Sequence, residues 1–512
     1  MIRLNIKRAL ITVYDKSGLE ELAAYLTEKG VEIISTEGTY EYLKMNGIPV
    51  RSIGEYSDGE RLFGGRIKTI SPKLVGGILA DRSNEEHIEQ MISENIPEID
   101  MLVVNFCPFK SFAEDIYDEY ELVQKIDIGG INLVRAAAKN YRSVLPVVDP
   151  ADYKKIMANF ELCGDVPLQN RRRYALKAFY NTMRYEESIH QALSFLFAEE
   201  KYEHMTFEKL YEFKYGENPH QSAYLSKVAD EESLFGQIKF IVKKRLTLRL
   251  YRQLYSGLDF MRNITSKGFV ILINFLPVYF SNNENDADYL RGIKEELLHN
   301  SNNNTAFITK GVIDGETADF IKETGINVVV ATSFEDDAKR KLESSDVIIL
   351  AEFNEIKSGK NERIFFDNEL VIQQNDKLED FGSLNGVYLP NENDKEYSSD
   401  LLIMSQIIKS LETCSLIGMK DGRMYGMASG MLNVEECFSL CGDRFETSLK
   451  NVNGGLLGFD IFPSADVILK AKKEWGIETI LIPDNKRINA EFLEMIKTNK
   501  IGLYTFTKRH FK

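Results

Sequence analysis

The chain has 512 residues, 44% of them hydrophobic and 28% charged, which is the balance of an ordinary soluble globular protein but too long for a single core. A formal charge of −15 offers no basic excess for nucleic-acid phosphates, and no apolar run reaches the roughly 18 residues of a membrane span. Five scattered cysteines (Cys107, Cys163, Cys414, Cys437, Cys441) and an N-terminus without a signal-like apolar core argue against a disulfide framework, so a reducing, cytoplasmic setting is expected.

In chain order, RALITVYD (8–15) predicts a buried strand and SGLEELAAYLTEKG (17–30) an amphipathic helix stopped by Gly30. VEIIST (31–36) is the next strand and TYEYLKMNG (39–47) the next helix. VGGILA (75–80), IDMLVVNF (99–106) and SVLPVVD (143–149) read as further strands, and EEHIEQMISENI (85–96) as a helix. Strands and helices alternating through short connections predict a parallel sheet wrapped by helices over 1–150, with its site at the carboxyl ends of the strands. Residues 151–205 read as a helical connecting region. A second α/β region follows over 206–512. In it, GVIDGETADFIKETGINVVVAT (311–332) and SADVILKAKKEWGIETILIP (464–483) each read as a helix ended by glycine before a β-branched strand, which suggests a duplicated substructure. NNENDADYLRGIKEELLHNSNNN (282–304) reads as polar surface.

Four segments beside the first set of strands carry residue types suited to an anionic ligand: YDKSG (14–18), STEGT (35–39), FGGRIKTISPK (63–73) and IDIGG (126–130). Glycines allow close backbone approach, an arginine offers a planar fork and a lysine a point charge. Each also has a plain structural alternative: a solvated basic turn, a helix capped by Thr39, or a tight turn into a buried helix. KYGENPHQ (214–221) contributes His220, a candidate for proton transfer near neutral pH, or else a Pro turn whose polar groups satisfy one another. Cys437 and Cys441 lie four apart but lack a second Cys or His pair, so no metal site is expected there.

In order, RALITVYDKSGL, ISTEGTYEYL, GGRIKTISPK, VVNFCPF, KIDIGGINLVRAAAKN, VVDPADY and KYGENPHQ resemble the bifunctional purine-biosynthesis family that joins AICAR (5-aminoimidazole-4-carboxamide ribotide) transformylase to IMP cyclohydrolase. The resemblance is strong to about residue 222 and fainter to the terminal RHFK. It implies an α/β fold, with a methylglyoxal-synthase-like parallel-sheet domain followed by a transformylase-like domain of duplicated, cytidine-deaminase-like α/β units, in a homodimer. It further implies the last two steps to IMP: formylation of AICAR by the co-substrate 10-formyltetrahydrofolate, then dehydrative ring closure of formyl-AICAR, with no metal or redox cofactor. By this resemblance Lys68, Asp127 and Lys139 are catalytic in ring closure, with Lys16, Ser35, Thr39, Arg66, Thr69, Gly129 and Gly130 around the nucleotide. His220 is implied as catalytic in the second domain, and Lys214, Tyr215 and Arg509 as AICAR contacts. A helix of about ten residues is roughly 15 Å long, so Asp127 and Lys139 serve one ligand only if the chain bends or the nucleotide lies along it.

Several positions depart from the family pattern. The family usually has a tyrosine where Cys107 stands and a serine where Tyr14 stands. Ser71 and Val75 replace two histidines, and Glu37 replaces a glycine. In the second domain the KHxNPCG segment aligns with INFLPVY, which puts Ile273 and Asn274 at the Lys-His pair and Val278 and Tyr279 at Cys-Gly. LYRQ (250–253) stands for SYNN, and SGMLN (429–433) for the GQMSR-like turn. Retention of Lys68, Asp127 and Lys139 predicts that ring closure survives, and loss of the Lys-His pair predicts that formyl transfer is weakened or lost. The alternative is a catalytically impaired paralogue that binds purine nucleotides as a regulatory or structural partner.

Overall fold

The computed structural model describes residues 4–57, 69–109, 118–199, 201–300, 304–354, 361–366, 369–374, 384–390, 398–448 and 453–506. The chain forms two compact units, Met1–Met205 and Thr206–Lys512.

In the first unit five parallel strands, β1 (Arg8–Val13), β2 (Glu32–Ser35), β3 (Arg51–Ser52), β4 (Met101–Asn105) and β5 (Leu145–Val147), lie in the order β3-β2-β1-β4-β5. Around them are α1 (Leu19–Glu28), α2 (Glu37–Met45), α3 (Ile53–Ser57), α4 (Pro72–Leu79), α5 (Glu85–Ser93), α6 (Glu119–Val123), α7 (Gly129–Lys139), α8 (Tyr153–Cys163) and α9 (Leu168–Leu196). The central strands are apolar on both faces because helices cover both. Leu19 and Leu22 of α1 and Ile156 of α8 pack on one side; Leu74 of α4, Leu133 and Ala137 of α7 and Ala178 of α9 pack on the other.

Two expectations change. VGGILA is not a strand but most of α4. Ser71 caps that helix, its hydroxyl accepting from Leu74 N at 3.2 Å, and Pro72 opens it, the preferred chemistry for a helix start. Gly77 lets the helix lie against the backbone, since a Cβ there would sit 2.5 Å from the Pro97 carbonyl. Helix α2 begins at Glu37, two residues early, because the extended Thr36 is its N-cap; Thr39 therefore lies inside the first turn.

The second unit opens with a hairpin, β6 (Phe207–Phe213) and β7 (Ala223–Val228). Apart from two separate strand pairs (Val312–Ile313 with Ser333–Phe334, and Asn361–Phe366 with Glu369–Gln374), two series of ten elements then follow in the same order. The first is β8 (Ile238–Lys243), α10 (Leu248–Asn263), β9 (Phe269–Ile273), β10 (Leu276–Ser281), α11 (Ala287–Asn300), β11 (Thr305–Thr309), α12 (Gly315–Thr324), β12 (Val328–Ala331), α13 (Asp336–Glu343) and β13 (Ile349–Phe353). The second is β14 (Leu384–Tyr388), α14 (Ser398–Lys409), β15 (Leu416–Lys420), β16 (Arg423–Ala428), α15 (Val434–Ser448), β17 (Leu456–Phe459), α16 (Ala465–Trp475), β18 (Thr479–Pro483), α17 (Ala490–Thr498) and β19 (Gly502–Phe506).

They build one twelve-stranded sheet, β14-β19-β18-β17-β15-β16-β10-β9-β11-β12-β13-β8, whose halves mirror each other strand for strand and in their parallel and antiparallel pairings. The two similar passages of the sequence are α12–β12 and α16–β18. Their helices end at Gly325 and Gly476, both left-handed with φ 68° and 66°. The segment read as polar surface holds α11, which buries Tyr289, Leu290, Ile293 and Leu297; flanking asparagines mask that stripe in the sequence.

The halves meet where β10 pairs with β16 at Ser281 and Arg423. There the Arg423 guanidinium makes a fork on Asp286, with Nε to Oδ2 at 2.7 Å and Nη2 to Oδ1 at 2.6 Å. The Ser281 hydroxyl donates to Asp286 Oδ2 at 2.7 Å. Burial alone would raise the Asp286 pKa, but Arg423, Ser281 and the Tyr289 amide outweigh it and hold the carboxyl below its ordinary value. A carboxyl depressed on folding contributes stability that is present above the unfolded value, about 3.9, and lost as pH falls through the folded one. Arg423→Met strands the buried carboxylate and should cost about 3 kcal/mol at neutral pH by urea unfolding. That deficit should shrink as pH falls from neutral, because without Arg423 burial raises the Asp286 pKa and the stranded carboxyl takes up a proton; a deficit constant from neutral to acid pH would remove the pair from the account.

Candidate active site

The strand register builds the site in the first unit. Val13 of β1 lies opposite Asn105 of β4, so the chain leaves both strands side by side. Asn105 ties the two exits together. Its Oδ1 accepts from the amides of Tyr14 at 2.7 Å and Asp15 at 2.9 Å, and its Nδ2 donates to the Asp15 carbonyl at 2.9 Å. Asp15 in turn accepts from Ser17 N at 2.9 Å, and the Ser17 side chain and amide hold its carboxyl below the usual range. Half-buried Lys16 sits over the Tyr42 ring of α2, 5.6 Å from its centroid.

The hydroxyls of Ser35 and Thr39 are spent on the fold. Ser35 is fully buried and donates to the Ile11 carbonyl at 2.6 Å. Thr39 accepts from Val13 N at 3.1 Å and donates to Val13 O at 3.2 Å, fastening the first turn of α2 to β1. The N-terminus of α2 remains on this edge. Its first amides lack intrahelical partners, and it carries the partial positive charge that attracts anions. Exposed Glu37 stands in that first turn.

Asp127 precedes α7. Its Oδ1 accepts from Gly130 N at 2.9 Å, as a capping side chain does, and its own amide donates to the Tyr185 hydroxyl at 2.8 Å. Oδ2 accepts no hydrogen bond from the described residues. The paired glycines are needed for close approach. A Cβ on Gly129 would collide with the Thr69 hydroxyl, and one on Gly130 with Asp127 Oδ2 and, at 3.2 Å, with the Phe106 ring. Thr69, Asp127, Gly129 and Gly130 are thus brought together, against a Phe106–Tyr185 ring pair whose centroids lie 5.0 Å apart. Beside Phe106, the Cys107 thiol pushes the Tyr14 phenol above its ordinary pKa.

Lys139 is not brought to this group. It ends α7 on an exposed last turn, about 15 Å along the axis from Gly129, where a cation suits the carbonyl end of the helix. α7 is one continuous helix, so Asp127 and Lys139 stand at its opposite ends and one ligand reaches both only by lying along it. Arg66, Lys68 and Arg509 lie outside the described residues.

In the second unit, KYGENPHQ forms the turn between β6 and β7. Gly216 N donates to Gln221 O at 2.7 Å, and Asn218 N to the Gln221 side chain at 2.9 Å; these polar groups satisfy one another. Lys214 and His220 are exposed and Tyr215 half-buried. Glu217 of this turn pairs with Arg252 of α10 at 2.5 Å, and Arg252 covers the Phe275 ring at 4.6 Å. The turn therefore neighbours the β9–β10 hairpin, where Asn274 and Phe275 both adopt left-handed backbone, φ 49° and 74°. The mirror-related β15–β16 hairpin has Asp421 and Gly422 at φ 52° and 74°, a pairing suited to that turn. Phe275 is held in this disfavoured conformation by Gln253, whose Oε1 accepts its amide at 2.7 Å, while Asn274 accepts from Arg249 at 3.1 Å.

Sequence reasoning missed Asn105 and Tyr185. A strand-terminal Asn before an aromatic was a readable signal for the first; nothing local marks a tyrosine that acts 58 positions from its partner.

The chain is similar to known proteins along nearly its whole length. The family model described as "AICARFT/IMPCHase bienzyme" matches residues 137–444, and that described as "MGS-like domain" matches 18–132. The chain is 31% identical over 529 aligned residues to the "Bifunctional purine biosynthesis protein PurH" of Clostridium botulinum (strain Loch Maree / Type A3), covering 99% of this chain and all of that protein. It is 30% identical over 520 residues to the protein of the same name from Acetivibrio thermocellus, again covering 99% of this chain and all of the relative. A solved structure titled "Crystal structure of ForH" is 32% identical, covers 37% of this chain and 99% of its own, and superposes with a TM-score of 0.34.

The capping role of Asp127 can be separated from any chemical one. Asp127→Ala should lower stability by about 0.5–2 kcal/mol in urea unfolding, whereas Asp127→Asn, which caps equally well, should stay near wild type.

Proposed function

The chain belongs to the AICARFT/IMPCHase bienzyme family, and we propose that its first unit closes formyl-AICAR to IMP while its second unit has lost most or all of its formyl transfer. The observation that carries the reading is the Asp127 carboxylate, fixed by Gly130 N at the strand-end edge with Oδ2 accepting no hydrogen bond from the described residues, beside Thr69 and two glycines that permit close approach. The nucleotide phosphate lies at the N-terminus of α2, with Lys16 and Arg66. Asp127 Oδ2 takes a proton from the carboxamide nitrogen as that nitrogen attacks the formyl carbon, and Lys68 stabilises the charge developing on the formyl oxygen. The closing ring then loses water. Lys139, at the far end of α7, has no step in this scheme.

In the second unit Ile273 and Asn274 stand at a tight turn where the family resemblance calls for a Lys-His pair, and neither side chain is a proton-transfer group at neutral pH. Lys214, Tyr215 and His220, on the adjacent turn, and Arg509 serve as AICAR contacts. 10-Formyltetrahydrofolate is the co-substrate if any transfer remains. The same hairpin favours a second reading, a purine-nucleotide-binding paralogue with a regulatory or structural role. The protein acts in the cytoplasm as a homodimer, binding neither nucleic acid nor membrane.

Purified protein given formyl-AICAR should form IMP, and Asp127→Asn should slow that by about 10²–10⁴-fold, the range for a proton-transfer group. AICAR with 10-formyltetrahydrofolate should yield formylated product at least about 10²-fold more slowly than ring closure proceeds. Brisk transfer would restore full bifunctionality, and absence of IMP formation would leave the nucleotide-binding paralogue.

A further inference from the structure

We propose that Cys414 and Cys437 form an oxidation site of the second unit, a dithiol that a hydroperoxide converts to a disulfide, and that the new bond displaces the turn over 429–433.

The two thiols come from different elements. Cys414 stands in the loop that leads into β15, and Cys437 in the first turn of α15. Their Sγ atoms lie 3.7 Å apart, and the Cys437 thiol donates to the Cys414 carbonyl at 3.1 Å. A disulfide bond is about 2.05 Å long, so the pair is reduced, and a shift of under about 2 Å closes it. Cys414 is 6% exposed and Cys437 1%, which makes Cys414 the sulfur that a small oxidant reaches first. Burial pushes both thiols above their ordinary pKa, so they stay protonated at neutral pH and react slowly. Cys441 is no alternative partner for Cys437. It lies four residues on in the same helix, where Cβ atoms stand about 5–6 Å apart, beyond the roughly 3.5–4.5 Å of a disulfide.

The loop carrying Cys414 is anchored on one side and coupled on the other. Cys414 has left-handed backbone, φ 61°, and the Asp460 carboxyl beyond β17 accepts from Cys414 N at 2.8 Å and Ser415 N at 2.7 Å. Across the loop, the Ser429 hydroxyl accepts from Glu412 N at 2.9 Å and donates to Glu412 O at 3.3 Å, while Cys414 O accepts from Met431 N at 3.3 Å. Hydrogen bonds to a carboxylate are the stronger kind, so the Asp460 side holds. Drawing the sulfurs together removes the Cys437 thiol donor and shifts the Cys414 carbonyl against Met431, and the turn over 429–433 gives way.

With hydrogen peroxide, the Cys414 sulfur attacks one peroxide oxygen. The S–O bond forms as the O–O bond breaks, and the departing oxygen leaves as water with the Cys414 thiol proton. The Cys437 sulfur then attacks the Cys414 sulfur: the S–S bond forms, the S–O bond breaks, and hydroxide leaves as water with the Cys437 proton. The two thiols lose two electrons, and the peroxide is reduced to two waters.

Full-length protein is treated with hydrogen peroxide, denatured with N-ethylmaleimide to block the remaining thiols, digested with trypsin and read by mass spectrometry. Peptide 410–420, which holds Cys414, should be joined to peptide 424–444, which holds Cys437 and Cys441. The link should persist in Cys441→Ser and vanish on reduction with dithiothreitol. Loss of the link in Cys441→Ser overturns the assignment to Cys437. Absence of the link in wild-type protein, at a peroxide dose that fully oxidises exposed Cys163, overturns the site itself. Hydrogen exchange over 429–433 should lose protection in the oxidised protein and regain it after dithiothreitol; unchanged exchange overturns the displacement of the turn.

Discussion

The parallel pairing of β1 with β4 is the constraint on which the first unit's site depends. It sets Val13 level with Asn105, and from that level everything nearby is hung. The Asn105 carboxamide holds the exit of β1, Thr39 fastens α2 to the same exit, and the segment after β4 supplies Phe106 and Cys107. Each such hydrogen bond contributes only about 0.5–1.5 kcal/mol net, far less than the apolar burial of the strands. Their effect is positional: together they decide which side chains can reach one ligand and which are consumed by the frame.

The second unit is governed by its duplication. Two copies of one ten-element plan share a sheet, and equivalent hairpins in the copies have diverged. One keeps a glycine where the backbone turns left-handed; the other carries Phe275 there, at a conformational cost on the order of 1–2 kcal/mol. Gln253 and Arg252 hold that residue in place. The strained turn coincides with the point where sequence resemblance leads one to expect chemistry, and what stands there is an apolar side chain and two amides (Ile273, Asn274 and Gln253).

Much of the frame was legible in the sequence. β1, β2, β4 and β5 sit in apolar runs bounded by turn residues, and the duplicated helix–glycine–strand passages proved to be equivalent elements. The six-residue apolar run VGGILA was not, because a short apolar run fits a strand or a buried helix equally well; the Ser71-Pro72 start was the better signal. The site was half legible. Paired glycines before α7 announce close approach, but a Ser or Thr at a strand end does not say whether its hydroxyl faces a ligand or its own backbone. Ser35 and Thr39 turned out to do the latter. Helix length alone anticipated that Asp127 and Lys139 lie apart, whereas the bond from the Asp127 amide to the Tyr185 hydroxyl is a tertiary fact joining residues 58 positions distant.

The mirror plan of the large sheet also settles how it ends. Each half terminates in a strand that runs antiparallel to its neighbour, β8 at one rim and β14 at the other. Open rims invite further strands from other chains, and proteins discourage that with charged or irregular edges. β8 exposes Lys239 and Lys243, and the pairing of β14 is interrupted between Gly386 and Tyr388. The repeated plan thus guards both rims of so wide a sheet.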